Sequence, residues 1–214
     1  MRMIIMGAPG SGKGTHAGRV CERLHIPHIA TGDIFRKNIE NGTALGKKAQ
    51  EYMDKGELVP DELTIAIMKD RLQQEDCKNG FLLDGFPRTI PQAEYLDEVM
   101  DALAIQLEVV LMLEGPDEEV IRRISGRRVC LACNTNYHVA YKPPKVENKC
   151  DACQTDLIIR DDDTEQTIRN RLAVYHKQTA PLLAYFEKKG LVKKVIGQEK
   201  VDDTTAAVFK ALGV

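Results

Sequence analysis

The nine residues Gly7 to Thr15, GAPGSGKGT, follow directly on the apolar run Met3-Ile4-Ile5-Met6. A short apolar run, a glycine-rich turn, a lysine and a helix-compatible stretch are the layout of a phosphate cradle. Gly7, Gly10, Gly12 and Gly14 let backbone N–H groups turn inward, because glycine tolerates positive φ. Those N–H groups and the start of the next helix offer partial positive charge to an anion. Lys13 adds a full charge within reach of a nucleotide's outer phosphates. Gly14 stands where the general pattern has Ser or Thr as a magnesium ligand, and Thr15 comes one place later.

Asp84-Gly85-Phe86-Pro87-Arg88 is the second chemical segment. An aspartate at the carboxyl end of a strand can hold a magnesium-bound water, and Arg88 can hold a second anion; a plain turn is the alternative. Thr31-Gly32-Asp33 also follows a strand pattern, where Thr31 either hydrogen-bonds a ligand or caps a helix. Cys130-x2-Cys133 and Cys150-x2-Cys153 form two knuckles sixteen residues apart. Each offers two thiolates to one tetrahedral ion, which points to a closed structural zinc site; disulfides are the alternative, disfavoured in a reducing compartment. Cys21 and Cys77 fall outside the pattern and read as ordinary thiols.

Arginines flank the knuckles: Arg123, Arg127 and Arg128 before them, Arg160, Arg169 and Arg171 after. Guanidinium groups bind phosphate oxygens bidentately, and phosphoryl transfer needs positive charge around a group whose negative charge is redistributed. Asp161, Asp162 and Asp163 stand beside them as arginine partners, holders of magnesium water or a hinge latch; for Asp161 a plain charged loop is equally compatible. None of the five histidines sits in a triad-like arrangement. His28 reads as satisfied core and His138 as surface. A general base is not evident, which is no obstacle if the acceptor is itself a phosphate.

Positioning these groups requires an alternation of strands and helices. Strands are predicted at Arg2–Met6, His28–Ala30, Phe81–Leu83, Glu108–Leu113 and Val192–Ile196. Helices are predicted at Lys13–Leu24, Pro60–Glu75, Pro91–Leu103, Glu118–Ser125, Asp163–Lys189 and Thr204–Leu212, with a capping box of Thr89 and Gln92 opening the third. The expected fold class is α/β, a parallel sheet flanked by helices, with ligands at the carboxyl ends of its strands. Two segments break the alternation. Residues 31–59 read as a helical lobe and residues 126–163 as a knuckle-bearing lid, leaving 1–30, 60–125 and 164–214 as the core domain. Lobes beside a phosphate site suggest lids that close over substrate.

The chain of 214 residues can bury a good core, and its net charge of −2 implies no broad basic field for nucleic acid. No apolar run approaches a membrane span, and no signal peptide precedes the first strand, so a cytoplasmic protein is expected. No low-complexity segment or internal repeat is evident.

The cradle, Thr31-Gly32-Asp33, Asp84-Gly85-Phe86-Pro87-Arg88-Thr89, Arg123-x3-Arg127-Arg128 and Arg160-Asp161-Asp162-Asp163 occur in an order that resembles the bacterial adenylate kinase family over essentially the whole chain. The knuckles resemble its long-lid, zinc-bearing form. That resemblance implies reversible phosphoryl transfer from MgATP to AMP giving two ADP, Mg2+ with ATP, structural Zn2+ on Cys130, Cys133, Cys150 and Cys153, and a monomer serving adenine nucleotide homeostasis. It implies that Gly10, Ser11, Gly12, Lys13, Gly14 and Thr15 hold the ATP phosphates, with Asn136 and Tyr137 near ATP and Gln198 or Glu199 at its base. Arg123, Arg127, Arg160 and Arg171 would converge on the phosphoryl groups, the last two reaching the AMP side. Thr31, Arg36, Glu57, Leu58, Val59, Gly85, Phe86, Pro87, Arg88 and Gln92 would make the AMP pocket, with Arg36 and Arg88 on the monophosphate and Gln92 on the adenine edge. Asp84 would act through magnesium-bound water, with Asp33 a second candidate. Departures are His16, where the family commonly has glutamine, and Ile34-Phe35, where it often has methionine and leucine. A kinase of UMP, CMP or GMP shares the cradle and is the nearest rival. A zinc-ribbon module acting on nucleic acid is the rival from another class, opposed by the balanced charge.

Overall fold

Short, nearly continuous apolar runs become strands covered on both faces, as parallel sheets require. The computed structural model describes residues 1–133 and 135–214. In chain order its elements are β1 (Arg2–Gly7), α1 (Lys13–Leu24), β2 (His28–Ala30), α2 (Thr31–Glu40), α3 (Ala44–Met53), α4 (Asp61–Leu72), β3 (Phe81–Asp84), α5 (Ile90–Ala102), β4 (Val109–Glu114), α6 (Asp117–Ser125), β5 (Arg127–Cys130), β6 (Asn136–His138), β7 (Leu157–Ile158), α7 (Glu165–Val174), α8 (Leu182–Glu187), β8 (Val192–Ile196) and α9 (Val201–Leu212). Five of the strands form one parallel sheet in the order β2-β3-β1-β4-β8. Its crossovers alternate strand and helix, so this is the expected α/β fold.

The pleat of β1 divides the core in two. Ile4 and Met6 face one side and pack with Leu83, Met68, Leu96, Leu172 and Phe186. Met3 and Ile5 face the other and pack with Leu82, Val20 of α1 and Val208 of α9. Both helix layers therefore anchor the turn that follows β1, and the glycine-rich loop leaves a strand that cannot shift register without exposing these side chains.

The predicted strand and helix positions recur within three residues, the widest differences being the end of α4 (Leu72 against Glu75) and the start of α9 (Val201 against Thr204), with one exception. The single helix expected over Asp163–Lys189 is interrupted. A π-type turn occupies Tyr175–Thr179 between α7 and α8, and Pro181, which lacks an N–H donor, stands at the start of α8. This break turns Thr179 toward Arg88, whose carbonyl accepts its hydroxyl at 3.0 Å.

Helices α2 and α3 form a pair with its own small core of Phe35, Ala49 and Val59. Their close approach depends on Gly46, where a Cβ would lie 2.2 Å from the Asn38 carbonyl oxygen. The lid is a three-stranded antiparallel sheet, β6-β5-β7, over a core of Cys130, Tyr137, Cys150 and Leu157. A cluster of four residues, two of them thiols, with buried Val129 beside it, is too small to hold such a sheet by apolar burial alone. Among the described residues no helix is long and apolar enough to cross a membrane.

Candidate active site

The glycine-rich loop sits between the carboxyl end of β1 and the amino end of α1. Gly7 (φ 147°), Gly10 (φ 78°) and Gly12 (φ 94°) all take backbone conformations that L side chains rarely adopt. At Gly7 a Cβ would also meet the Leu113 carbonyl oxygen at 2.5 Å. The Lys13 ammonium donates to the carbonyls of Gly7 and Ala8, both at 2.8 Å, and so spans the base of its own loop. Burial pushes Lys13 down to about 8; nearby Asp84 works against that fall, and Arg88, Arg171 and Arg127 add to it.

Asp84 ends β3 beside the loop, and a Cβ on Gly14 would lie 3.6 Å from its Oδ2. Burial opposes the Asp84 charge, yet His28, Lys13 and Arg88 together hold the carboxyl below the ordinary carboxylate range. His28 is therefore not a satisfied core residue. It lines the cleft, with Nε2 3.3 Å from Asp84 Oδ2. A period-two strand pattern places His28 on a face but does not say that β2 lies against β3, which is why sequence reasoning missed it.

Gly85 follows at φ 77°, and a Cβ there would come within 2.8 Å of Arg88 Nη2 and 2.9 Å of Thr31 Oγ1. Thr31 neither caps a helix nor stands free: its hydroxyl donates to the Gly85 carbonyl at 2.8 Å, tying α2 to this loop. Arg88 Nε donates to the same carbonyl at 2.9 Å. The capping box at α5 is half formed. Thr89 Oγ1 accepts the Gln92 N–H, whereas the Gln92 side chain turns away to accept the Arg88 N–H at 2.8 Å.

One cleft of about 770 Å3 runs from the loop to the helical lobe and under the lid. It is lined by Gly10 to Thr15, Thr31, Arg36, Glu57 to Val59, Asp84, Gly85, Pro87, Arg88, Gln92, Arg123, Arg127, Asn136, Tyr137, Arg160, Arg171, Gln198 and Glu199. Phe86 is the exception among the expected residues: its side chain is 1% exposed and packs in the core. Of the flanking arginines, Arg128 donates to the Arg127 carbonyl and Arg169 pairs with Glu165, so neither joins the lining. Sequence spacing could not sort them, because the direction of Arg128 depends on the turn from α6 into β5 and that of Arg169 on which face of α7 meets the cleft.

Acidic residues hold these guanidinium groups. Arg127 makes a two-bond pair with Asp163, whose side chain has no exposed surface. Arg171 pairs with Asp162 at 3.0 Å and Asp163 at 3.5 Å. Arg36 bonds Asp33, which also faces Arg160 at 3.9 Å. Asp161 is the exposed member of the three, which together form one 3-10 turn. The crowding still costs charge stability. Burial, aided by Arg171 and Arg36, pushes Arg88 down to about 10, and burial with Arg36 and Arg127 pushes Arg160 down to about 9. Such a cluster stays protonated at neutral pH and is relieved by a polyanion, which supplies the opposite charge it lacks.

His16 lies beneath the loop, 4% exposed, with Nδ1 3.0 Å from Thr205 Oγ1 of α9. Burial, then Arg19 and Arg123, push the imidazole down to about 4, so it is neutral and serves as packing. In the lid the Cys130 and Cys153 sulfurs lie 3.3 Å apart, Cys133 and Cys150 3.5 Å, and Cys153 and Cys133 3.6 Å. Disulfides would need about 2.0 Å, whereas sulfurs bound at about 2.3 Å to one tetrahedral ion stand about 3.8 Å apart. The four atoms can therefore hold one metal ion. Cys130 N–H donates to the Thr135 carbonyl at 3.0 Å and Cys150 N–H to that of Thr155 at 2.9 Å. The two knuckles are thus a matched pair, Cys-x-Ala-Cys-x-Thr repeated twenty residues on, an internal repeat that corrects the expectation of none. His138 departs from its expected surface place: it is half-buried, with Nδ1 accepting from the N–H groups of Ala140 and Tyr141.

Residues 5–191 match the family model described as Adenylate kinase. Curated relatives bearing that name include one from Acetivibrio thermocellus, 59% identical over 212 residues, 99% of this chain and 98% of the relative. Another, from Caldicellulosiruptor saccharolyticus, is 58% identical over 214 residues and the full length of both. A third, from Clostridium botulinum, is 52% identical over 213 residues, 100% of this chain and 99% of the relative.

Proposed function

The chain belongs to the adenylate kinase family, and from that premise we propose how its own residues carry reversible phosphoryl transfer from ATP to AMP. The observation that carries the assignment of roles is the convergence of Lys13, Arg36, Arg88, Arg127, Arg160 and Arg171 on one cleft beside the glycine-rich loop. ATP would lie along the loop, with Gly10 to Thr15 offering N–H groups, Lys13, Arg123 and Arg127 at the outer phosphates, and Asn136, Tyr137 and Gln198 or Glu199 toward the nucleoside. AMP would enter between the helical lobe and the Gly85–Arg88 turn, its monophosphate gripped by Arg36 and Arg88 and its base against Val59 and Gln92.

An oxygen of the AMP phosphate then attacks the terminal phosphorus of ATP in line. The bond to the bridging oxygen breaks, and each nucleotide leaves as ADP. The acceptor is already ionised, so no general base is required; the chain supplies alignment and positive charge. Lys13, Arg88, Arg123, Arg127, Arg160 and Arg171 are the charge-stabilising groups. Asp84, held ionised beside the loop, fits the role of orienting magnesium-bound water. Mg2+ supplied with ATP neutralises phosphate charge when bound.

We also read residues 31–59 and 126–163 as lobes that close over the cleft on the core formed by 1–30, 60–125 and 164–214, excluding the water that would otherwise hydrolyse ATP. Zn2+ on Cys130, Cys133, Cys150 and Cys153 would hold the lid together. A cytoplasmic monomer is the expected state.

A coupled assay for ADP, with AMP, UMP, CMP and GMP compared as acceptors at fixed MgATP, tests the acceptor. AMP is expected to exceed the others, and a preference for another monophosphate would reassign it. The depressed Lys13 gives a pH signature. With burial holding Lys13 down to about 8, its ammonium is partly deprotonated at pH 8.5 and fully charged at pH 6.5. A bound polyphosphate favours the ammonium, so the proton taken up by Lys13 on nucleotide binding should grow from pH 6.5 to pH 8.5, and affinity should weaken as pH rises past 8. Titration calorimetry in two buffers of different ionisation enthalpy measures this uptake, and Lys13→Arg should remove it.

A further inference from the structure

The Gln92 side chain is 2% exposed and lies at the edge of the cleft. A primary amide carries two N–H donors and two acceptor positions, and it can face its surroundings in two senses. In this chain the sense is forced. Gln92 Oε1 accepts the Arg88 N–H at 2.8 Å, and Gln92 Nε2 donates to Asp61 Oδ1 at 2.7 Å. Reversing the amide would set a carbonyl against a carboxylate and an NH2 group against an N–H. Asp61 is the first residue of α4 and is itself fixed, because Thr89 Oγ1 donates to both of its oxygens at 3.0 Å. It stands behind Gln92, outside the cleft lining.

We propose that Asp61 is a specificity-determining positioning residue, which locks the Gln92 amide in the sense that reads a 6-aminopurine and rejects a 6-oxopurine. The inference rests on Gln92 facing the AMP base. With one donor and one acceptor already engaged, Gln92 keeps one N–H and one carbonyl lone pair for a ligand. Adenine offers a ring-nitrogen acceptor beside the N6 amino donor, which matches that pair. Hypoxanthine offers an oxygen at position 6 and a protonated N1, which meets it with acceptor against acceptor and donor against donor. A carboxylate accepts only, so it enforces this polarity; a carboxamide at position 61 can serve either sense.

The same three side chains tie the amino end of α4, which follows Leu58-Val59-Pro60, to the turn carrying Arg88. Base reading and phosphate grip are therefore coupled through Asp61. Its loss is expected in the acceptor constants and not in those for ATP.

The test compares AMP and IMP as acceptors in the intact enzyme, in Asp61→Asn, Asp61→Ala and Gln92→Ala, with Tm measured for each. For the isosteric Asp61→Asn the kcat/KM ratio of AMP over IMP is expected to fall about tenfold, since the discarded hydrogen-bond polarity is what excludes the wrong partner. KM for AMP should rise several-fold, with kcat and the KM for ATP nearly unchanged. An unchanged ratio in a folded Asp61→Asn or Asp61→Ala, alongside a collapsed ratio in Gln92→Ala, overturns the role of Asp61 and leaves the base contact standing. An unchanged ratio in Gln92→Ala overturns both.

Discussion

Lys13→Ala should lower kcat by about 10³-fold or more, the range seen when charge-stabilising groups are removed from phosphoryl-transfer sites. The physical basis is specific to this loop. The ammonium is held by the Gly7 and Ala8 carbonyls, at the floor of a turn whose glycines cannot adopt another path without loss of their positive φ. Arg88 and Arg127, by contrast, are tied to Gly85 and Asp163, outside the loop. Arg88→Ala and Arg127→Ala should each be severe for a different reason, as they also leave a partner behind: Arg127 is the main counter-charge of the unexposed Asp163. Turnover at saturating MgATP and AMP measures the effect, and circular dichroism separates it from loss of fold. Near-normal rates in all three variants would remove this assignment.

Replacing Cys130 and Cys133 together by serine should abolish metal binding by the four-cysteine cluster and melt the lid well below the main unfolding transition. Binding of one ion to four thiolates contributes roughly 10–16 kcal/mol in apparent terms, far more than a core of Cys130, Tyr137, Cys150 and Leu157 can supply. The parallel sheet buries its own side chains independently of the lid, so the main transition should move less than lid protection in hydrogen exchange. Activity at low temperature should fall less than thermal resistance. Metal analysis is the direct check: about one equivalent of zinc is expected in protein prepared without chelators, and none would count against the site.

Much of the frame was legible along the chain. Apolar runs of four to six residues between amphipathic stretches specify a parallel sheet because both faces must be buried, and the glycine-lysine turn after the first run specifies a phosphate loop because few other sequences can take that backbone. The knuckles were legible through their spacing alone. Their Cys-x-Ala-Cys-x-Thr repeat was also there to be read, as two copies twenty residues apart, and was missed because a single repeat of six residues is short. The broken helix before β8 was signalled by Pro181, yet helical periodicity on both sides of it masked the interruption.

What the amino-acid sequence determined by itself is local: which backbone can turn, which stretch must be buried, which residues bring thiolate or positive charge. What the tertiary structure decided is partnership. His28 meets Asp84 because β2 happens to lie beside β3, Asp163 rather than Asp161 meets Arg127 because of how the chain leaves β7, and Phe86 turns into the core between two neighbours that face the cleft. Asp61 and Gln92 stand thirty-one residues apart and are joined only where the start of α4 crosses the start of α5. Such pairings depend on the packing of whole helices against the sheet, and hydrogen bonds act over about 3 Å, a distance that no linear spacing encodes.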